Sequence, residues 1–285
     1  MITLPIIGAV LEAAGTIIEK KVLKRKFMNF KNYTVFEFLS IVVLMLPIIY
    51  FSHYVSAEAL TWKNIGIFAF VILVYVGANL SIFYSLKREN VTEFEPIWVM
   101  QPLFTILIAF FLYSDERNWT YVILALIASV TLIVAHIKRE HLVYDRYMIA
   151  ALLGSFLFGL ELAVSKSIIN YYSPFMFYFI RCFFILVICA LLFRPKYRDL
   201  FREKAVAWMV FAIGIMWAVY RAIIYYGYEK LGVVFTTILF ILSPVFMFAF
   251  AVVFLKEKPT KRQIISTIII LVCVALAVYF EYIGK

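Results

Sequence analysis

The sequence has few charged residues and lacks the common catalytic and metal-binding motifs. Only 15% of its 285 residues are charged, whereas a soluble domain has roughly 25%. It has no glycine-rich nucleotide loop and no H-E-x-x-H motif. Its three cysteines, Cys182, Cys189 and Cys273, lie inside apolar runs without a C-x-x-C pair, which excludes a disulfide framework and the usual zinc spacings. We therefore predict that the protein is not an enzyme and has no cofactor, no metal site and no catalytic residues.

Apolar residues make up most of the chain: 65% of the residues are hydrophobic and 19% are aromatic. Ten apolar runs approach the ~20 residues that cross a bilayer, and each must be a helix because hydrocarbon offers the backbone no water. They lie at 2–19, 33–51, 64–86, 91–113, 119–137, 147–170, 174–193, 205–228, 231–255 and 263–283. The predicted fold class is an all-α integral membrane protein with ten transmembrane helices, multi-pass in the cell membrane. We expect the run at 2–19 to be a retained span, since no basic residue precedes it and no signal-peptide cleavage pattern follows.

The net charge of +10 comes from basic residues clustered between the apolar runs. Twenty lysines and arginines lie in the loops after odd-numbered spans, and four lie on the opposite side. The positive-inside rule therefore predicts cytoplasmic odd-numbered loops and both termini outside. With this distribution the charge sets topology, and we expect no nucleic-acid partner.

The sequence contains an internal repeat. A shift of 142 positions aligns residues 84–137 with residues 226–279. The aligned pairs include Tyr84 with Tyr226, Pro102 with Pro244, and Asp115 with Glu257. We predict two five-helix repeats, at 1–140 and 147–285. An odd number of spans per repeat inverts the second half, and such inverted repeats are typical of secondary transporters. The alternative is a gene duplication without transport, such as a membrane scaffold.

Several segments together resemble the EamA-type drug/metabolite transporter superfamily. They are Leu242-Ser243-Pro244-Val245-Phe246, Phe254-Leu255-Lys256-Glu257-Lys258, Gln263, and a weaker first copy at Gln101-Pro102-Leu103-Phe104 with Asp115-Glu116. The resemblance implies a carrier of small organic molecules with a central substrate site. It also implies cytoplasmic termini, the opposite of what the loop charges predict.

The first span shows a second, narrower similarity. Glu12, Gly15, Thr16 and Lys20 have the E-x-x-G-T-x-x-x-K spacing of the first helix of small multidrug resistance transporters. That similarity implies a glutamate that binds protons and cations in turn. Glu12 would lie roughly 15 Å deep at ~1.5 Å per residue, close to mid-bilayer. Its side chain either binds substrate or a proton, or it pairs with a buried base.

Arg221 is the other candidate for substrate binding. A charged side chain inside a membrane needs a partner or a function. Trp217 and Tyr225 lie one helical turn to either side of it and Tyr220 is adjacent, so the group could bind an anionic or aromatic substrate. Alternatively, Arg181 and Arg221 neutralise buried glutamates, an interpretation that we favour for Arg181.

The fourth span adds Trp98 and Gln101 to the predicted substrate-binding residues. Pro102 and Pro244 each remove a helical hydrogen bond at matching positions of the two halves. Matched helix breaks point to a central site. The alternative is a pair of inherited prolines that only kink their helices.

These observations predict a secondary transporter that moves a small organic metabolite by alternating access. The alternatives are proton-coupled efflux of cationic or aromatic drugs and, from another class, a membrane-embedded enzyme or non-transporting scaffold. The expected partners are a small-molecule substrate and the lipid bilayer, with the chain as a monomer or homodimer.

Overall fold

The structure is a computed structural model, and it describes residues 3–88, 97–98, 100–136, 146–255 and 260–283. Within these residues it is helical, apart from connecting loops and one isolated bridge between Val55 and Tyr172. The helices are α1 (Thr3–Leu23), α2 (Phe30–Phe51), α3 (Trp62–Arg88), α4 (Met100–Leu112), α5 (Trp119–His136), α6 (Arg146–Ile169), α7 (Pro174–Phe193), α8 (Lys204–Leu231), α9 (Val233–Phe240), α10 (Ser243–Leu255) and α11 (Lys261–Ile283).

Local sequence determines where several helices begin. The Asn29 side chain accepts hydrogen bonds from the backbone amides of Lys31 and Asn32, at 2.7 and 3.0 Å, and so caps α2. Ser173 caps α7 in the same way, and Pro174 occupies the first helical position, where its missing N–H has no cost. Short polar loops therefore separate long apolar helices.

Within the described residues, the helices overlap the ten predicted apolar runs, and the ninth run is split. The ninth span consists of α9 and α10, which are interrupted at Ile241 and Leu242 just before Pro244. Within the described part of the chain, seven stretches are long and apolar enough to cross a membrane: 30–51, 62–87, 146–169, 174–193, 204–231, 233–250 and 261–283. Helix α4 and the apolar part of α5 are shorter, and α1 carries several charged residues. The protein is an all-α, multi-pass membrane protein.

Helix packing has the same pattern in the two halves. Helix α3 packs mainly against α6, and its counterpart α8 packs against α1. Likewise α4 contacts α6, while α9 and α10 contact α1. The pairs α2–α7 and α5–α11 join matching spans directly. The main interfaces are therefore between the halves, as expected for two related repeats.

Glycines allow the closest of these approaches. A Cβ atom on Gly8 of α1 would lie 2.5 Å from the Phe240 ring and 3.4 Å from Ile223. On α6, the Gly154 position aligns with Gly8 at a shift of 146 residues, and a Cβ there would lie 2.7 Å from the Ile82 side chain. Small residues let membrane helices approach closely, because association there depends on packing. The repeat thus preserves a contact as well as a sequence pattern.

Candidate functional site

A small cavity lies between helices of both halves, lined by residues of α1, α2, α3, α6 and α8 together with Trp98. Its water-accessible volume is about 30 Å³, which suffices for water but not for an organic metabolite. Its charged and polar walls are formed by Thr16, Glu19, Glu37, Tyr75, Asn79, Tyr220 and Arg221. Phe158, Trp98 and Trp217 supply aromatic faces.

Arg221 of α8 faces this cavity and is only 4% exposed. Its Nε and Nη1 atoms are buried and have no hydrogen-bond partner among the described residues. The nearest carboxylate of an ion pair is that of Glu161, with Nη1 and Oε2 4.0 Å apart. The rings of Tyr75 and Tyr220 lie 5.3 and 5.5 Å from the guanidinium carbon. Arg221 therefore presents unused donors within an aromatic environment.

Arg181 has a structural role instead. It is fully buried in α7 and forms an ion pair with Glu161 of α6, which is also fully buried. The rings of Tyr75 and Tyr225 lie 4.0 and 5.3 Å from its guanidinium carbon. The expectation that Arg181 neutralises a buried glutamate is confirmed.

Two of the predicted binding residues lie next to the cavity but not in its described lining. Tyr225 packs edge-on against Phe177, with ring centroids 5.0 Å apart, on the side where it contacts Arg181. Gln101 donates a hydrogen bond to Thr105 within α4, at 3.4 Å. Helical spacing predicted that both residues would lie on the substrate-binding faces of their helices, but neither side chain is part of the described cavity lining.

Glu12 is buried, with 4% exposure, and is also absent from the described cavity lining. Its carboxyl group is surrounded by the side chains of Tyr220, Ser243 and Trp98. The charge of Arg221 also acts on it, but no ion pair involves Glu12 among the residues that the structure describes. Glu12 thus lies behind the cavity wall formed by Trp98 and Tyr220.

Two other glutamates line the cavity directly and were not among the predicted site residues. Glu19 of α1 accepts hydrogen bonds from the Tyr33 hydroxyl and the Trp217 indole N–H, at 3.0 and 3.1 Å. Glu37 of α2 lies beside it. The polar stripe of the first span that contains Glu12 and Thr16 was a signal for Glu19, but Glu37 stands alone in an apolar run.

The two prolines occupy similar places. Pro102 lies in α4, and Pro244 lies in the first turn of α10 after the break at Ile241 and Leu242. Residues 91–96 and 99, which precede Pro102, lie outside the described residues, so the predicted break can be compared only in the second half. There, Ser243 and the broken ends of α9 and α10 lie against α1.

A second charged site closes the end of the bundle near α4. The Lys166 ammonium group lies 2.5 Å from Asp115 and 2.6 Å from Glu116. Glu116 also accepts hydrogen bonds from the backbone amides of Val233 and Val234, at 2.6 and 2.9 Å, at the N-terminus of α9. The preceding Gly232 has φ +83°, a conformation that favours glycine, and Glu116 lies against it.

We call this arrangement of Lys166, Asp115, Glu116 and the α9 N-terminus the clasp. It links the loop after α4 in the first half to α6 and α9 in the second. Lys166 holds the pKa of Asp115 below its ordinary value, chiefly through the hydrogen bond between them. The clasp borders an open pocket of about 420 Å³ that is also lined by the acidic residue Glu281. Glu257, which aligns with Asp115 in the repeat, lies outside the described residues.

The fold and cavity define a class of protein: a multi-pass helical membrane protein with a charged, aromatic cavity between two halves. The sequence profile of the EamA-like transporter family matches residues 1–136 and 145–279. The chain therefore belongs to the EamA-like transporter family.

The fold also occurs in a solved structure, described as "Crystal structure of protein". It is similar to this chain with a TM-score of 0.75 over 99% of each chain, at 15% sequence identity, which shows a shared fold alone. No curated protein sequence matches this chain significantly.

Proposed function

We propose that this protein is a secondary transporter that carries a small organic anion or zwitterion through the central cavity by alternating access. Membership in a family of transporters supports transport of small molecules. The observation that carries the finer proposal is Arg221, a buried base that lines a cavity between the halves and whose Nε and Nη1 atoms have no hydrogen-bond partner among the described residues. A carboxylate or phosphate would supply the acceptors that these donors lack.

The size of the cavity supports a mechanism with more than one conformation. The cavity offers only about 30 Å³ to water, so it must widen before an organic substrate reaches Arg221. The clasp bridges the halves at one end through Lys166 and Glu116. We infer that opening of this end requires the clasp to break.

The test combines a binding screen with transport. Purified protein is screened by thermal shift against organic acids, amino acids, nucleosides, sugars and cationic drugs, and the stabilising compounds are tested for counterflow in liposomes. We expect Arg221→Gln to lose most of the ligand-dependent stabilisation, because it removes the charge that binds the anion. Lys63→Gln, which removes an exposed positive charge, should retain it. Equal responses of the two variants would contradict a role for Arg221.

A second candidate function is proton-coupled efflux of cationic or aromatic drugs, which the buried carboxyl group of Glu12 beside Trp98 and Tyr220 favours. Transport driven by an imposed pH gradient should then fail in Glu12→Gln. Gradient-driven transport that survives this substitution would remove Glu12 from the mechanism. Counterflow itself separates both candidates from an enzyme or a scaffold, neither of which exchanges substrate across a membrane.

A further inference from the structure

Two carboxyl groups meet in the wall of the central cavity. Glu19 of α1 and Glu37 of α2 are 3% and 4% exposed, and both line the cavity. Both side chains line the same small cavity, and each carboxyl group acts electrostatically on the other. Two adjacent carboxylates in a poorly solvated site repel each other strongly, so such a pair favours holding one proton between its members.

The two carboxyl groups have unequal surroundings. Glu19 receives hydrogen bonds from Tyr33 and Trp217, and both donors stabilise an ionised carboxylate. The Oε2 atom of Glu37, in contrast, is buried and no donor among the described residues contacts it. The geometry therefore favours an ionised Glu19 and a protonated Glu37 that donates to it.

The charge balance of the bundle leads to the same conclusion. Among the described residues, the buried carboxyl groups inside the bundle outnumber the buried bases: Glu12, Glu19, Glu37 and Glu161 against Lys20, Arg181 and Arg221. Arg181 already pairs with Glu161. The Lys20 ammonium group donates to the backbone carbonyl of Leu86. At least one carboxyl group is therefore in excess, and burying an uncompensated charge is expensive.

We propose that Glu19 and Glu37 form a proton-binding site, and that this site couples proton binding to anion binding at Arg221. The use of the proton rests on the proposed function, whereas the site itself does not. The positive charge of Arg221 acts on Glu37 across the cavity. When Arg221 is unoccupied, its positive charge weakens proton binding by Glu37, so the pair loses its proton to cavity water at a lower pH than it otherwise would.

An anion bound to Arg221 neutralises that charge, so the pair binds its proton more tightly. Each ligand thus strengthens the binding of the other, as reciprocal coupling requires. A carrier with such coupling moves an anion and a proton together. Among the described residues, the other groups near the pair are Tyr33 and Trp217, which donate to Glu19, and Cys182 and Cys189 of α7, on which the charge of Glu37 acts. All of these neighbours are neutral around pH 7 and leave Arg221 as the charge that controls the pair.

The experiment measures the proton directly and needs no substrate. Infrared spectra of the purified full-length protein are recorded between mildly acidic and mildly alkaline pH, in water and in heavy water. A protonated buried carboxyl group gives a C=O stretching band that shifts in heavy water and disappears when the group ionises. We expect Glu37→Gln to lose one such band, and Glu58→Gln, at an exposed glutamate, to keep it.

Glu19→Gln provides the complementary measurement. Glu37 then has no neighbouring carboxylate, and we expect its affinity for the proton to fall at least tenfold, so the band disappears at a lower pH. Glutamine has the shape of a protonated glutamate, and size-exclusion chromatography checks that both variants are folded. Glu37→Asp keeps a carboxyl group at the site and should keep a band at a shifted frequency.

Two results would overturn the proposal. One is an unchanged set of bands in Glu37→Gln, which would place the titrating proton elsewhere. The other is a band that sodium chloride removes at constant pH while choline chloride does not, which would make the pair a metal-cation site. Either result leaves the transport proposal intact, and a failed counterflow assay would leave the proton site intact.

Discussion

Substitution of Gly159 by alanine should separate α6 from α4. A Cβ atom at Gly159 would lie 2.7 Å from the Cβ of Phe104, 2.9 Å from the backbone nitrogen of Thr105 and 3.1 Å from the carbonyl oxygen of Gln101. Ordinary contacts of this kind are roughly 3.5–4.0 Å, so the shortfall is close to ~1 Å. Two of the three obstructing atoms belong to the backbone, and no rotamer change relieves them.

The magnitude follows from two opposing effects. Overpacking of a tight site costs about 1–3 kcal/mol. Alanine regains up to ~1 kcal/mol of helix propensity over glycine. We therefore expect a net destabilisation of about 1–2 kcal/mol for Gly159→Ala.

Gly66→Ala is the matched control, because Gly66 also lies in a helix but its Cβ would meet nothing within 4 Å. This variant should be neutral or slightly stabilised. The assay is thermal unfolding in detergent with a thiol-reactive dye, which reports when the three buried free cysteines become accessible. At roughly 2–4 °C per kcal/mol, the two variants should differ by several degrees. Equal midpoints would show that α4 and α6 are not in close contact.

Two further predictions concern the ion pairs. Glu161→Gln should destabilise the protein by about 3–5 kcal/mol, since it leaves Arg181 buried without a counter-charge. Adding Arg181→Met should restore part of this lost stability in the same thermal assay. A double variant that is no more stable than Glu161→Gln alone would contradict this prediction. Lys166→Gln should weaken the clasp mainly by removing the ion pair with Glu116, whose side chain is only 6% exposed. The ion pair with Asp115 should contribute less than ~1 kcal/mol, because that side chain is 69% exposed and the pair is screened by solvent. Because the pKa of Asp115 is lowered, the stability that its ion pair contributes is complete above the ordinary pKa of 3.8 and is lost as the pH falls through the lower pKa of the folded state. This acid-dependent fall of the thermal unfolding midpoint should be present in the parent and absent from Lys166→Gln.

The secondary structure and the membrane location were accessible from the sequence because they depend on local composition. Apolar runs of sufficient length must be helices in lipid, and each run predicted a helix or, for the ninth, a pair of helices. The split of the ninth span was signalled by Pro244, which cannot continue a helical hydrogen-bond ladder. The family could also be identified from the sequence, through the motifs around Pro244 and its counterpart Pro102.

The partners of the charged residues were not accessible in the same way. The sequence identified Arg181 and Arg221 as buried bases with several glutamates available, but helical spacing does not determine which carboxylate each one meets. Glu161 pairs with both, closely with Arg181 and at 4.0 Å with Arg221, which also lines the cavity. That outcome depends on how α6, α7 and α8 cross.

The sequence by itself determined that this protein is a helical membrane protein of two repeats in a transporter family. Hydropathy and the internal repeat can both be read from the order of residues, without knowing how the helices pack. Only the tertiary structure decided which acids line the cavity. Glu12 was the glutamate that the sequence favoured, yet Glu19, two turns further along α1, faces Glu37 across a helix interface. A helix presents several polar residues on one face, and the depth and tilt of its neighbours select which of them reaches the cavity.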